Sequence, residues 1–302
     1  MSTILAEAVS SNPPVAERKA LVGLIGSGIQ RSLTPAMQEE EARQQGLRLH
    51  YQLIDLDRTG SGVEALPALI QSARTMGFTG LNITYPCKQA VLPLLDELSE
   101  EARAMGAVNT VVNQGGRLVG HNTDGSGWAW GFRRALPGAD LSRVALLGAG
   151  GAGSAIAHAL LRLGAARLTI VDSDAARAAQ LAEALNALYG PRRAAFGSDI
   201  AAAMADATGL VHATPTGMDK LPGMPLPASL LRPDLWVSEV VYFPLETELL
   251  RTARALGCPV CDGGTMAVGQ AVGAFELFTG LKADPERVEA HFRRLIDERA
   301  GR

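Results

Sequence analysis

Lys88 and Asp124 are the residues whose types best suit proton transfer. Lys88 follows Asn82-Ile-Thr84-Tyr-Pro86, where Pro86 stops a strand and Lys88 begins a helix. The helix dipole disfavours an ammonium there. That field, with partial burial, favours a neutral amine able to accept a proton. From position alone, a solvated lysine at a helix start is the simpler account. Asp124, in Gly120-His-Asn122-Thr-Asp124-Gly125, is the natural partner of Lys88. Asn82 and Thr84 share one face of their strand end, and Gly106-Ala-Val-Asn109-Thr110 adds a further amide. Turn chemistry alone could place these Asn and Asp side chains, which often bond their own backbone. His121 is not separable from a surface histidine. In Ser32-Leu-Thr34-Pro35, the proline pushes Thr34 toward an extended conformation, so the two hydroxyls point the same way. Near a helix N-terminus they make a seat for a carboxylate. Equally, Thr34 could simply be the N-cap and Pro35 the first helical residue.

A second group of residues suits a dinucleotide. Val144–Leu147 is a continuous apolar run, as expected of a strand buried on both faces. Gly148-Ala-Gly150-Gly151-Ala152-Gly153 follows, then a helix over 154–163 ended by Gly164, then a strand over 168–171 with Asp172 at its end. The first glycine allows a tight turn, the second lets the backbone approach a pyrophosphate, and the third lets helix pack on strand. The helix N-terminus offers free N–H groups to that pyrophosphate. Asp172 stands 19 residues past Gly153, where a carboxylate accepts ribose hydroxyls. It repels a 2′-phosphate, and the nearest basic side chain, Arg177, falls about one turn into the next helix. NAD is therefore expected rather than NADP. A glycine-rich helix start with Asp172 as a cap is the plainer alternative.

These groups need elements to hold them. Strands are expected over 19–26, 49–56 and 77–84. Helices are expected from Pro35 to about Gln45, over 63–76, and from Pro86 to about Met105. A hairpin of 108–113 and 118–122 turns through Gly115-Gly116. A connecting helix over 125–136 leads into as many as six parallel strands over 143–263, and the end of the chain, 268–302, reads as helical. The expectation is an α/β protein of two domains: a mixed α/β substrate domain (19–124 plus 265–302) and a doubly wound parallel-sheet Rossmann domain (125–264), with a cleft between. Residues 1–18, with Pro13-Pro14, read as a loose arm.

Composition sets limits. The chain has 302 residues, 47% hydrophobic and 20% charged, with a net charge of −3. That suits a globular protein with a substantial core. No dense Lys/Arg block marks a nucleic-acid partner, and no apolar run is long enough to span a bilayer. Three cysteines argue against a disulfide framework and suit a reducing cytoplasm. Cys258-Pro-Val-Cys261 lacks the second ligand pair a zinc site needs and reads as two small buried residues. A monomer or a homodimer fits equally.

The motifs become specific together. Gly26-x-x-Ile29-x-x-Ser32-Leu-Thr34-Pro35, Asn82-Ile-Thr84-x-Pro86-x-Lys88, Gly106-Ala-Val-Asn109-Thr110 and Asn122-Thr-Asp124-Gly125 resemble, in order and spacing, motifs of the shikimate dehydrogenase family. So do Gly148–Gly153, Ala213-Thr-Pro-Thr-Gly-Met218, Val241-Tyr-Phe-Pro-Leu-Glu-Thr-Glu-Leu-Leu250 and Gly269-Gln270-Ala. The resemblance spans about residues 21–280. It implies that Ser32 and Thr34 hold a substrate carboxylate and that Lys88 and Asp124 are the catalytic pair. It further implies that Asn82, Thr84, Asn109 and Gln270 bind ring hydroxyls and that Tyr242 lines the cleft. Thr214, Met218 and Val240 would lie along the nicotinamide, and Gly263 would join the glycine turn (Gly148, Gly150, Gly151, Ala152, Gly153) and Asp172 as cofactor residues.

Three departures matter. Thr34 stands where the family commonly has serine, Asp172 replaces a basic phosphate clamp, and Gln38-Glu39 replaces the usual His-Asn. The first two, together with the Tyr242-to-Leu250 run, look more like the quinate/shikimate branch that uses NAD. The implied reaction is reversible NAD-dependent oxidation of a ring hydroxyl of shikimate and/or quinate. The alternatives are a dehydrogenase of a related cyclic acid such as aminoshikimate, or a non-catalytic NAD-binding regulator of the same fold.

Overall fold

The computed structural model describes residues 18–300. The arm expected over 1–18 lies outside them, except for Arg18, whose guanidinium donates to the Thr279 carbonyl at 2.8 Å. The first half runs β1 (Lys19–Gly26), α1 (Thr34–Gln44), β2 (Arg48–Asp55), α2 (Leu56–Thr59), α3 (Leu66–Thr75), β3 (Gly80–Ile83), α4 (Cys87–Ala90), β4 (Glu97–Leu98), α5 (Glu100–Met105), β5 (Thr110–Gln114) and β6 (Arg117–His121). Its six strands form one mixed sheet in the order β2-β1-β3-β5-β6-β4, with β5 antiparallel to both neighbours. Next come α6 (Asp124–Ala135), β7 (Arg143–Leu147), α7 (Gly151–Arg162), β8 (Arg167–Val171), α8 (Ala175–Tyr189), β9 (Ala194–Gly197), α9 (Ile200–Met204), β10 (Gly209–His212), β11 (Trp236–Glu239), α10 (Glu248–Ala255) and β12 (Val260–Cys261). These six strands make a second sheet, β12-β11-β10-β7-β8-β9, parallel throughout. The chain ends in α11 (Gly263–Thr279) and α12 (Pro285–Ala300).

Strand alternation explains the layers. In the parallel sheet, Val144, Leu146, Leu168, Ile170 and Val211 pack with α6 and α7, while Ala145, Leu147, Val171, Leu210 and Val237 pack on the opposite face. Both faces are covered, which is why these strands read as unbroken apolar runs. In the mixed sheet, Ile25, Leu81, Ile83 and Val111 pack under α3 to α5. Val22, Leu24, Tyr51 and Val112 meet Ala274 and Phe278 of α11 on the other side. The last helices thus return to the first sheet.

Several expectations need correction. The single helix over 86–105 is broken into α4, a 3-10 turn, β4 and α5. Pro93 interrupts the backbone donors, Glu97 pairs opposite Val119, and the Ser99 hydroxyl caps α5 by accepting from the Ala102 N–H. The helix over 268–302 is two helices. Gly280, left-handed at φ 70°, ends α11, and Asp284 caps the turn that Pro285 opens. The cysteines are free and buried, and burial pushes the Cys261 thiol up to about 11. Among the described residues no helix is long and apolar enough to cross a membrane.

Candidate active site

A cavity of about 570 Å³ opens between the C-terminal edges of the two sheets. Ser32, Thr34, Asn82, Thr84, Lys88, Asn109, Asp124 and Gln270 line it from one side, and Thr214, Met218, Val240 and Tyr242 from the other. A larger concavity of about 710 Å³ lies behind α6. It is walled by Arg162, whose partner is Glu101, and by Arg134, paired with Glu286, and it contains neither Lys88 nor the glycine turn.

Asp124 is the hub. It is the first residue of α6, its side chain is 3% exposed, and its Oδ2 lies 2.6 Å from Lys88 Nζ. Its Oδ1 accepts from Asn109 Nδ2 at 2.8 Å and from Gln270 Nε2 at 2.6 Å. A buried carboxylate is costly unless paired and hydrogen-bonded, and here both oxygens are satisfied. Asn109 is itself fixed. Its second amide N–H goes to Thr123 Oγ1, and its Oδ1 accepts from the Thr123 N–H and the Thr110 hydroxyl. The Asn82 side chain is also engaged: Oδ1 accepts from Tyr51 O–H at 2.7 Å, and Nδ2 donates to Asn109 O and Thr110 Oγ1. Both amides line the cleft, as expected of ligand-facing groups, and both are also tied to protein groups. The dipole argument for Lys88 also loses its basis, because α4 is a single turn of four residues.

Ser32 and Thr34 sit together at the start of α1, with Ser32 Oγ accepting from the Thr34 N–H at 3.3 Å. Thr34 is not extended as Pro35 suggested. It takes the first helical position, and Leu33 is the cap residue without a side-chain bond. Asp55, from the end of β2, holds the preceding loop by accepting from the Gly28 N–H and from Gln30. Gln38 is 1% exposed, and neither of its amide atoms finds a partner among the described residues. Glu39 accepts from the Tyr51 N–H.

The glycine turn has the geometry of a phosphate cradle. Gly148 is at φ 102°, a region that L side chains avoid. A Cβ on Gly150 or Gly151 would meet nothing within 4 Å, so a ligand has free approach to that backbone; a Cβ on Gly153 would lie 2.0 Å from Gly148 O. Ala152 is in the first turn of α7. Gly263 is pressed against the Val240 and Val241 carbonyls, where a Cβ would lie 2.5 Å from each. A pyrophosphate therefore fits at the N-terminus of α7.

Asp172 differs from expectation in its surroundings. Its Oδ2 accepts from the Ala149 N–H at 2.6 Å, and its Oδ1 accepts from the Asp174 N–H. Arg177, in the first turn of α8, reaches back and clasps both oxygens, with Nη2 at 2.6 Å from Oδ1. Burial alone would raise the Asp172 carboxyl. Arg177 and the two N–H groups overcome it and hold the carboxyl at about 2. The spacing of Asp172 and Arg177 hid this contact, because the arginine side chain spans the turn that separates them.

The residues not foreseen are His212 and Glu239, opposite one another at the ends of β10 and β11. Nothing in their spacing of 27 residues signals contact.

Comparison with known proteins agrees with this geometry. The family model described as Shikimate dehydrogenase substrate binding domain matches residues 24–111. A shikimate dehydrogenase (NADP(+)) of Streptomyces avermitilis is 60% identical over 284 residues, 93% of this chain and 98% of its own. A quinate/shikimate dehydrogenase (NAD(+)) of Corynebacterium efficiens is 50% identical, covering 90% of this chain and 97% of its own. The solved quinate dehydrogenase of Corynebacterium glutamicum in complex with NAD superposes with a TM-score of 0.87 at 46% identity, over 92% of this chain and all of its own. The chain belongs to the shikimate dehydrogenase family.

Proposed function

We propose that the protein reversibly oxidises a ring hydroxyl of shikimate and/or quinate to the 3-dehydro ketone, with NAD as the preferred dinucleotide. The observation that carries this is the Lys88–Asp124 contact at 2.6 Å inside a cleft walled by both sheets. A dinucleotide bound along the glycine turn supplies the hydride acceptor. Lys88 takes the hydroxyl proton. Asp124 holds Lys88 and orients the hydroxyl, while Asn109 and Gln270 keep Asp124 in place through Oδ1. In this reading Asn109 acts through Asp124 rather than on the ring, because both its amide hydrogens are already engaged. Ser32 and Thr34 seat the carboxylate, and Thr84 and Tyr242 shape the ring pocket. The substrate domain comprises 19–124 and 265–302, and the dinucleotide domain 125–264. Three free thiols are in keeping with a reducing cytoplasm.

NAD is favoured because Asp172 is a carboxylate at the ribose position, ionised at any physiological pH. Arg177 is the opposing feature, since an arginine beside this position accommodates a 2′-phosphate. Relatives carry both cofactor names.

The test is initial rates on shikimate, quinate and their amino analogues, with NAD and NADP separately, for the wild type and Lys88→Ala. We expect NAD-dependent turnover of shikimate, quinate or both. We expect turnover of Lys88→Ala to fall about 10²–10⁴-fold, the usual range for a positioned acid or base. Adding Asp124→Asn to that variant should cost little more, because the pair acts as a unit. Near-wild-type turnover by Lys88→Ala would sink the assignment.

A further inference from the structure

One buried network has no part in the chemistry above. His212 and Glu239 have side chains with no exposed surface. His212 Nδ1 lies 2.9 and 3.1 Å from the two Glu239 oxygens, and its Nε2 lies 2.5 Å from Thr214 Oγ1. Glu239 receives donors on every other side. Its Oε1 accepts from the N–H groups of Val240 at 2.8 Å and Val241 at 3.0 Å, and its Oε2 accepts from the Thr247 hydroxyl at 3.0 Å. A carboxylate ringed by donors acts as an acceptor, so the proton between it and the imidazole belongs to Nδ1. In the neutral ring, Nε2 then carries a lone pair, and the group facing it is the Thr214 hydroxyl.

The consequence lies at Thr214. With the ring neutral, its one proton is spent inward on His212, yet the residue lines the cleft. Among the described residues, only the Thr216 N–H also approaches this oxygen, at a long 3.4 Å. Thr214 Oγ1 therefore presents a lone pair, not a proton, to whatever occupies the cleft. A free threonine hydroxyl could rotate to do either.

We propose that Glu239 and His212 are positioning residues that lock Thr214 as a hydrogen-bond acceptor for a donor on the nicotinamide half of the dinucleotide. That donor is the carboxamide N–H or a hydroxyl of the adjoining ribose. The proposal rests on the reading that a nicotinamide dinucleotide binds beside Thr214. It explains why a carboxylate and a neutral imidazole hydrogen-bonded to it are kept at two neighbouring strand ends where apolar residues would pack: they fix which way one hydroxyl points.

Dissociation constants test it, measured on the full-length protein without ring substrate. The probes are NAD, its 3-acetylpyridine analogue (a methyl ketone in place of the carboxamide) and ADP, which lacks the nicotinamide half. Thr214→Val should weaken NAD about tenfold, the worth of one hydrogen bond with a buried partner. Thr214→Ser should restore it, and ADP affinity should be the same in all three proteins. A loss confined to NAD identifies the carboxamide as the donor; a loss shared with the analogue identifies the ribose. An unchanged NAD affinity, or ADP weakened in parallel, overturns the proposal. Glu239→Gln should weaken NAD in the wild-type background and add nothing to Thr214→Val, whereas additive losses would refute the relay. Should Glu239→Gln not fold, ¹⁵N NMR of His212 in the unmodified protein decides the same point. A neutral ring protonated on Nδ1 is expected, and a ring protonated on Nε2 or on both nitrogens overturns it. Absence of turnover on any ring acid would remove the proposed function but leave these binding constants measurable, so the two failures are distinct.

Discussion

Asp172 and Arg177 show how a single pair can hold an undecided specificity. In the proposed reading the carboxylate accepts ribose hydroxyls, whereas a guanidinium beside it suits a 2′-phosphate. While they are clasped, both Asp172 oxygens are already occupied, so ribose hydroxyls must share or displace Arg177. Arg177 is about half exposed and can move at little cost. Removing the acid should free the base for the other cofactor. For Asp172→Ala, the ratio of kcat/KM for NADP to that for NAD is expected to rise at least about tenfold, equivalent to about 1.4 kcal/mol. Steady-state kinetics with both dinucleotides check this, and an unchanged ratio would remove Asp172 from cofactor choice. The same carboxyl also has a pH signature. Its folded pKa of about 2 lies below the value of about 3.9 for an unfolded aspartate. Its stabilising contribution is thus fully present above about pH 4 and is lost as pH falls through 2. The Tm gap between wild type and Asp172→Asn should therefore be open at pH 7 and close towards pH 2. A gap that persists at pH 2 would assign the stabilisation to something other than ionisation.

At the scale of elements, the glycine turn separates fold from function by position. Gly153 is needed for packing, since a methyl there would sit 2.0 Å from the Gly148 carbonyl. Gly150 has open space, and a methyl there would obstruct only an incoming phosphate. Gly150→Ala should leave the Tm nearly unchanged and weaken NAD binding, while Gly153→Ala should lower both. Thermal unfolding paired with NAD titration checks this, and equal Tm losses in the two variants would contradict it. These glycines, with the strand, helix and acid around them, were legible in the sequence because each role is local. The breaks in the expected long helices were also written locally, in Pro93, Ser99, Gly280 and the Asp284-Pro285 pair, and were obscured by the apolar periodicity around them. Thr34 was misplaced because the restriction before proline is weaker than the pull of a helix start. Glu239 and His212 were beyond reach for another reason. Parallel pairing joins strands through a long crossover, so no spacing rule connects their ends.

For the molecule as a whole, the site depends on how closely two helices cross. α6 leaves the mixed sheet carrying Asp124 and enters the parallel sheet, and α11 leaves the parallel sheet and returns carrying Gln270. Their crossing is lined with glycine. A Cβ on Gly269 would lie 2.4 Å from Gly127 O, and one on Gly131 would lie 2.6 Å from the Thr265 side chain. Without side chains between them, the backbones approach closely enough for Gln270 Nε2 to reach Asp124 Oδ1 at 2.6 Å. The helix contact that joins the two halves is thus the same contact that orients the Asp124 carboxylate, the proposed catalytic partner of Lys88. A methyl at the crossing should act on both. Gly269→Ala should destabilise the protein by about 1–3 kcal/mol, as overpacking does, which lowers Tm by several degrees in a chain of this size. It should also reduce kcat by pulling Gln270 from Asp124. Gln270→Ala, which removes the contact but keeps the crossing, should lower kcat with a smaller change in Tm. If Gly269→Ala lost stability but kept its full kcat at a temperature where it is folded, the crossing would be structural only, and Asp124 would owe its orientation to Asn109 and Lys88.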